Sequence, residues 1–392
     1  MRDHLTNALP RELIPRRILL LNWRDPEHPK AGGAETLTIN WAEAWQEAGA
    51  DVTFFTNSFQ GSTSRAAING VRIVREGRPL TQAWHAKTFY RKEGPFDLVV
   101  EEINTLPFLS SIWARGRSIL LMHQLARHVW FYEAKLPLSL LGYAAEPIYL
   151  RLYNQQPALV LSESTRQDLI GLGFHPEAVH VIPGATQLVS KRPTARDEVF
   201  TYIYVGRITP SKRVDHIIRA FAEVSRSLHQ RGREVRLKIV GSGSNEYERQ
   251  LMSIATKAGV GRSVEFVGWV SNWWLDPRLA RSHALVMASV REGWGLVVTE
   301  ANSIGMPAIG YPVRGLKDSI RDGLTGLLAR DDKPGELARE MLKLEESPEL
   351  WKRLSDGAFQ DAAGRGWATS RRVAVRQLAL AVSQLKSPGV SS

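Results

Sequence analysis

The chain has 392 residues, 43% hydrophobic and 23% charged, with a formal net charge of +11 and no cysteine. That length exceeds one ordinary hydrophobic core and suits two domains, and the composition is globular, against disordered, fibrous and repeat classes. Disulfides, thiolate metal sites and cysteine nucleophiles are excluded, while the positive field favours phosphates or an anionic membrane surface. Nucleic acid is disfavoured, because no zinc spacing, heptad seam or RNA-binding aromatic signature accompanies the charge.

The basic N-terminal stretch before residue 17 has no apolar core of signal-peptide length, so a cytoplasmic location is expected. A branched apolar run, RILLLN at 17–22, reads as a strand, followed by a glycine-containing turn and a helix over 34–48. Strand-like runs recur at 51–56, 96–100, 118–122 and 158–162. Apolar strands alternating with helices predict a parallel sheet covered on both faces. The apolar stretch at 136–149 is interrupted by Glu146 and Pro147 and falls short of the roughly 20 residues that span a bilayer.

The polar, proline-containing stretch at 183–197 is read as an interdomain linker, giving an N-terminal domain over 1–187 and a C-terminal domain over 188–368. Beyond it a second alternation, with runs at 199–205, 235–240, 264–267, 284–287 and 307–310, predicts a second doubly wound α/β domain. Helices are expected over 334–344 and 369–385, and the SPGVSS tail reads as disordered. Two such domains would present the carboxyl ends of their sheets to a central cleft, where ligands bind in folds of this kind.

The most informative segment is REGWGLVVTE at 291–300, directly after a strand-like run. Glu292 falls in the loop and Glu300 on a helix opened by Gly295 and Leu296, whose first N–H groups are free for phosphate or sugar oxygens. The segment resembles the Glu-x7-Glu signature of retaining glycosyltransferases of the GT-B fold, family 4. That resemblance implies Glu292 at the donor sugar, Glu300 at the ribose, and Gly293, Gly295 and Leu296 along the donor. Two solvated glutamates flanking a tight turn are the alternative.

VGRITPSKR at 205–213 is similar to the family's diphosphate grip, in which Gly206, Arg207 and Lys212 would neutralise charge on the departing nucleotide. The resemblance therefore implies no metal and no cofactor, with a nucleotide diphosphate sugar as co-substrate; a solvated basic turn is the alternative. KAGGAE at 30–35 resembles the family's N-terminal glycine-rich loop, with Gly32 and Gly33 letting backbone approach the donor phosphates or acceptor. VGSGS at 240–244, with Gly241 and Gly243, resembles the turn near the nucleotide, and FVGWV at 266–270, with Trp269 and Val270, its base-binding loop.

His123, after the run at 118–122, stands where the family's sugar-contacting histidine is expected, a packing role being the alternative. Glu101, Glu102 and Asn104 follow a strand and either meet acceptor hydroxyls or cap a loop. Gly315, Leu316 and Asp318 match a weaker family motif with Asp where Glu is usual, and Trp273 and Trp274 receive no function. In this fold the last helix commonly crosses back, so 369–392 is expected to pack on the N-terminal domain.

The reading is transfer of a hexose, from a donor of the GDP-mannose or UDP-glucose type, to a hydroxyl acceptor with retention, in cell-envelope or polysaccharide synthesis. Epimerases and phosphorylases sharing the fold, and a non-catalytic nucleotide-sugar binding protein, are the rivals. RHVWFY at 127–132, including Arg127, and WHAKTFYRK at 84–92 interleave aromatics with cations. They favour a lipid-linked acceptor at the inner face of a membrane, with ordinary amphipathic helices as the alternative.

Overall fold

The computed structural model describes residues 13–189, 191–193 and 195–385, so the expectations for the N-terminal stretch before residue 13 and for the SPGVSS tail lie outside the described residues. The chain divides into two compact units. One holds the described residues up to Arg127, then Leu140–Ala185 and the chain from Trp367; the other holds His128–Ser139 and Thr186–Gly366.

The first unit is built on an eight-stranded sheet of β1 (Arg17–Leu21), β2 (Asp51–Thr56), β3 (Arg65–Ile68), β4 (Val71–Arg75), β5 (Leu98–Glu102), β6 (Ser118–Met122), β7 (Ala158–Val160) and β8 (Val179–Val181). Their order is β3-β4-β2-β1-β5-β6-β7-β8, parallel except for the β3–β4 hairpin. Leu19 of β1 pairs with Thr53 on one side and Val99 on the other, and Ile18–Leu21 are all buried, as a strand covered on both faces requires.

The β3–β4 hairpin lies outside the strands read from sequence, although its signal was there. Asn69-Gly70 joins two short runs with φ of 50° and 86°, the positive pair that a two-residue turn between twisted strands demands. Arg75, at the end of β4, reaches the loop after β1: its Nε donates to Asp25 Oδ2 at 2.7 Å and its Nη2 to Asp25 Oδ1 at 3.0 Å. Both residues are fully buried, and Glu27 adds a third bond at 2.6 Å. The helix Trp367–Leu385 closes this unit against the helix Gly33–Glu47. Trp41 Nε1 donates to Ser370 Oγ at 3.0 Å, Trp45 Nε1 donates to the Ala374 carbonyl at 3.3 Å, and Arg371 pairs with Glu43 and Glu47.

The second unit has six parallel strands, β9 (Phe200–Val205), β10 (Val235–Val240), β11 (Val264–Gly268), β12 (Ala284–Met287), β13 (Ala308–Gly310) and β14 (Gly326–Leu328), in the order β11-β10-β9-β12-β13-β14. The helix Val214–His229 buries Ile217, Ile218, Phe221, Val224 and Leu228 at helical spacing and packs against the helix Pro334–Glu345. In each sheet one strand, β1 or β9, is flanked by a sequence neighbour on one side and a later strand on the other. That reversal splays the loops at the carboxyl ends and opens a crevice there, the place where such sheets receive ligands. The matched pair of switch points positions everything that follows.

The Arg75–Asp25 pair gives a test of the first unit. Asp25→Asn leaves the buried guanidinium with only the half-exposed Glu27 carboxylate as a counter-charge and is expected to cost up to about 3–5 kcal/mol in urea unfolding; a loss below about 1 kcal/mol would show that Glu27 or water compensates the guanidinium.

Candidate active site

At the switch point of the second unit the loops after β9 and β12 are joined through side chains and backbone. Lys212 Nζ lies 2.6 Å from Glu292 Oε1, and Ser289 Oγ donates to the same oxygen at 2.6 Å, so Glu292 is held on one oxygen while Oε2 has no partner among these contacts. The Val290 N–H donates to the Ser211 carbonyl at 2.9 Å and the Glu292 N–H to the Arg314 carbonyl at 3.1 Å. Gly315 has φ +82°, and a Cβ there would stand 2.1 Å from the Glu292 carbonyl oxygen. The weaker sequence motif thus serves to let two backbones meet behind Glu292.

Glycine at 241 and 243 is explained the same way. A Cβ on Gly241 would fall 1.8 Å from the Gly206 oxygen and one on Gly243 2.1 Å from the Ile208 oxygen, because the loops after β9 and β10 run side by side. Arg207 is exposed and pairs with no carboxylate among the described residues, unlike Lys212. Gly295 caps the helix Leu296–Ser303 at φ +80°, and Gly293 is buried beside it. Trp269 is 72% exposed and Val270 half-buried.

Glu300, on that helix, accepts a hydrogen bond from Trp273 Nε1 at 2.7 Å. Burial pushes its carboxyl up to about 7, against which the Trp273 bond acts. The sequence leaves Trp273 without a role; a buried tryptophan needs a partner for its N–H, and Glu300 on the helix Leu296–Ser303 supplies one.

The segment His128–Ser139 packs with this unit rather than with its chain neighbours. Ser211 Oγ bonds Glu133, Arg213 Nη2 donates to Tyr132 Oη at 3.0 Å, and Arg213 also pairs with Asp332 at 2.6 Å. Part of the aromatic and cationic stretch at 127–132 is therefore engaged within the fold, Tyr132 by Arg213.

In the first unit His123, Glu102 and Asn104 come together at the carboxyl ends of β5 and β6. The Thr38 hydroxyl donates to Glu102 Oε2 at 2.6 Å, and His123 Nε2 lies 3.1 Å from that hydroxyl and 3.3 Å from Glu102 Oε1. Thr38 has one proton and gives it to Glu102, so His123 Nε2 is the donor and Nδ1 is left buried with no partner. Trp41 stacks on the imidazole, and Asn104 Nδ2 spans Glu102 at 2.9 Å and Asn22 at 3.0 Å across the switch point.

Three expectations change in this unit. Glu101 and Glu102 lie within β5, not past it, and Glu101 is fully buried, accepting from the Phe108 and Ser110 N–H groups and Tyr153 Oη; it anchors a loop and meets no acceptor. Arg127 is likewise structural: it stacks on Tyr143 and donates at 3.3 Å to the Tyr143 carbonyl, the oxygen that Pro147 four residues on deprives of its helical N–H. Gly32 and Gly33 are exposed at the start of the first helix, but the Gly32 N–H already donates to Glu35 Oε2 at 2.8 Å, leaving one fewer backbone donor for a ligand. An open cavity beyond β2 and β4, lined by Ser58, Phe59, Arg78, Thr81 and His85 among others, was not anticipated. Among the described residues no cluster of three or more His, Asp or Glu is suited to a metal ion.

The chain matches two consecutive family models, Glycosyltransferase Family 4 over residues 31–188 and Glycosyl transferases group 1 over residues 187–361. It is 31% identical over 227 residues to D-inositol 3-phosphate glycosyltransferase 1 of Catenulispora acidiphila, covering 53% of each chain. It is 33% identical over 184 residues to the D-inositol 3-phosphate glycosyltransferase of Frankia alni, covering 46% of this chain and 45% of the relative. The matched part spans about half the length of these curated relatives. Its fold is that of sucrose-phosphate synthase from Thermosynechococcus elongatus (TM-score 0.74, 19% identity, 91% of this chain and 96% of that one). It is also that of Anabaena HepE in complex with UDP-glucose (TM-score 0.71, 19% identity, 94% and 99%).

Glu300 generates a pH prediction. A carboxyl whose folded value is raised from 4.5 to about 7 binds its proton more readily in the folded state, so the stability it contributes is complete below about 4.5 and lost as pH rises through about 7. Glu300→Gln should flatten the melting temperature over that interval, and Trp273→Phe, which removes the bond opposing the shift, should move the wild-type fall to higher pH. Parallel pH profiles for wild type and Glu300→Gln would show that another group titrates.

Proposed function

The chain belongs to the GT-B glycosyltransferases of family 4, and from that membership we propose that it transfers a hexose from a nucleotide diphosphate sugar to a hydroxyl acceptor, with retention at the anomeric carbon. The observation that carries the proposal is the Lys212–Glu292 contact at the switch point of the second unit. It sets a cation for the diphosphate beside a carboxylate for the sugar, with Arg207 exposed on the same loop as Lys212. Glu300 offers its second oxygen to the ribose while Trp273 holds the first.

In the reaction, the acceptor oxygen bonds to the anomeric carbon as the bond from that carbon to the β-phosphate oxygen breaks, and the acceptor proton passes to the leaving phosphate. Lys212 and Arg207 stabilise the diphosphate charge, so no divalent ion is required. Glu292 orients the sugar and stabilises positive charge at the anomeric centre without attacking it. In the first unit, the unpartnered His123 Nδ1 accepts a sugar hydroxyl. The cavity holding Arg78 and His85 suits an anionic group on the acceptor, the chemistry that the relatives' inositol phosphate names describe.

The reading is tested by melting temperature and turnover with UDP-, GDP- and ADP-sugars in EDTA. One donor should stabilise the protein and turn over without metal; activity lost in EDTA and restored by magnesium would overturn the metal-free mechanism. Lys212→Ala and Arg207→Ala should each weaken donor binding about 10- to 100-fold, the loss of a charged hydrogen bond. Glu292→Gln should lower kcat by about 100-fold or more, and unchanged turnover would favour the non-catalytic binding protein. Gly315→Ala, which displaces the Glu292 backbone, should lower kcat with the melting temperature of the first unit unaffected. Arg78→Ala should raise KM for a phosphorylated polyol acceptor and leave donor binding alone.

A further inference from the structure

The helix Leu138–Arg151 is one-sided in an unusual sense: its inner side is complete and its outer side is apolar. Inward, Leu150 is buried, and Glu146 is buried with both oxygens taken by the Ala126 and Arg127 N–H groups at 2.6 and 2.7 Å. Outward, Leu141 is 62% exposed, Ile148 65% and, just past the helix, Leu152 51%, with Ala145 between them. Steps of four, three and four place these residues on one stripe along a helix of 14 residues, about 21 Å long. Apolar side chains scattered singly over a surface need no partner, whereas a continuous stripe of this kind does.

The surrounding charge says what covers it. The helix exposes Arg151 and no carboxylate, since Glu146, its one acidic residue, faces inward. The neighbouring elements repeat the combination. Tyr149 Oη donates to the Thr105 carbonyl at 3.0 Å, and Gln82 Nε2 donates to the adjoining Leu106 carbonyl at 2.7 Å, linking this helix through one loop to the helix Gln82–Glu93. There Trp84 is 66% exposed, with Arg91 two turns on along the same face. An aliphatic stripe ending in an exposed arginine, with a second helix of the same unit exposing tryptophan and arginine, is complementary to an anionic lipid surface, the arginines at the head groups and the ring at the boundary.

We propose that the outer stripe of the helix Leu138–Arg151, with Trp84 as a second contact, docks the first unit on the surface of an anionic membrane. The helix lies in the interface and does not cross it; among the described residues no helix is long and apolar enough to span a bilayer. This rests on the glycosyltransferase reading only in giving the docked unit a purpose, which is to bring its acceptor-binding half to a lipid-linked or membrane-proximal hydroxyl.

The test is flotation of the full chain with vesicles of phosphatidylcholine alone or mixed with phosphatidylglycerol, with sedimentation to report its mass. The expected result is flotation with the mixed vesicles, weakened by salt, and reduced about tenfold or more in the double variant Leu141→Gln, Ile148→Gln. That variant should keep the wild-type melting temperature and nucleotide-sugar stabilisation, as should Trp84→Ala, which is expected to float less than wild type. Flotation equal for wild type and the double variant, or none with either vesicle, overturns the proposal. So does a wild-type dimer that the double variant converts to a monomer while lipid binding is absent. Flotation with no response to any sugar nucleotide would leave the docking surface standing and the glycosyltransferase reading refuted.

Discussion

The second unit depends on an ion pair between two loops that leave adjacent strands in opposite topological directions. β9 and β12 are neighbours in the sheet and far apart in the chain, so nothing local brings Lys212 to Glu292. The sheet does so, and glycine makes the approach possible: side chains at 241, 243 and 315 would each collide with backbone oxygen of a loop in this crevice. The backbone is packed so closely that the polar groups facing the crevice have little freedom to rearrange. A ligand would replace part of the Lys212–Glu292 interaction, and a site with its charges already opposed has less desolvation left to oppose binding.

The first unit reaches the same end by hydrogen bonding. Glu102 is wholly buried and is satisfied by Thr38, Asn104 and His123, and Asn104 in turn reaches Asn22 on the other side of the switch point. Each buried polar group that lacks a partner costs free energy, so the unpaired Nδ1 of His123 and Nδ2 of Asn22 are the two open positions of this network. Elsewhere in the unit a similar vacancy is filled from within. The carbonyl that Pro147 leaves without a helical donor is taken by Arg127, which explains why a cation expected to meet an acceptor is occupied by its own fold.

Much of the fold was legible because burial on both faces writes a continuous apolar strand into the sequence. The runs at 118–122, 235–240 and 284–287 coincide with β6, β10 and β12, and Glu292 and Glu300 fall in the loop and on the helix where their spacing put them. The edge strands β8 and β14 were not legible, because each is three residues long with no longer apolar run around it, whereas β7 and β13, equally short, sit in the apolar runs at 158–162 and 307–310. The β3–β4 hairpin carries its signal in the Asn69-Gly70 turn, while its strands are only four and five residues long and interrupted by Arg65 and Arg72, so no continuous apolar run marks them.

By itself the sequence determined the class of fold, the two alternations of strand and helix, and the charged and glycine residues gathered in the loops after the strands, because these follow from periodicity and from motifs contiguous in the chain. Tertiary structure decided which of those residues have company. It joined Lys212 to Glu292, gave Trp273 to Glu300, turned Glu101 and Arg127 into supports, attached residues 128–139 to the second unit, and left one face of the helix Leu138–Arg151 uncovered. The physical reason is common to all of them: a partner for a buried polar atom or an apolar face is found across the fold, at sequence separations over which a chain carries no local record of its contacts.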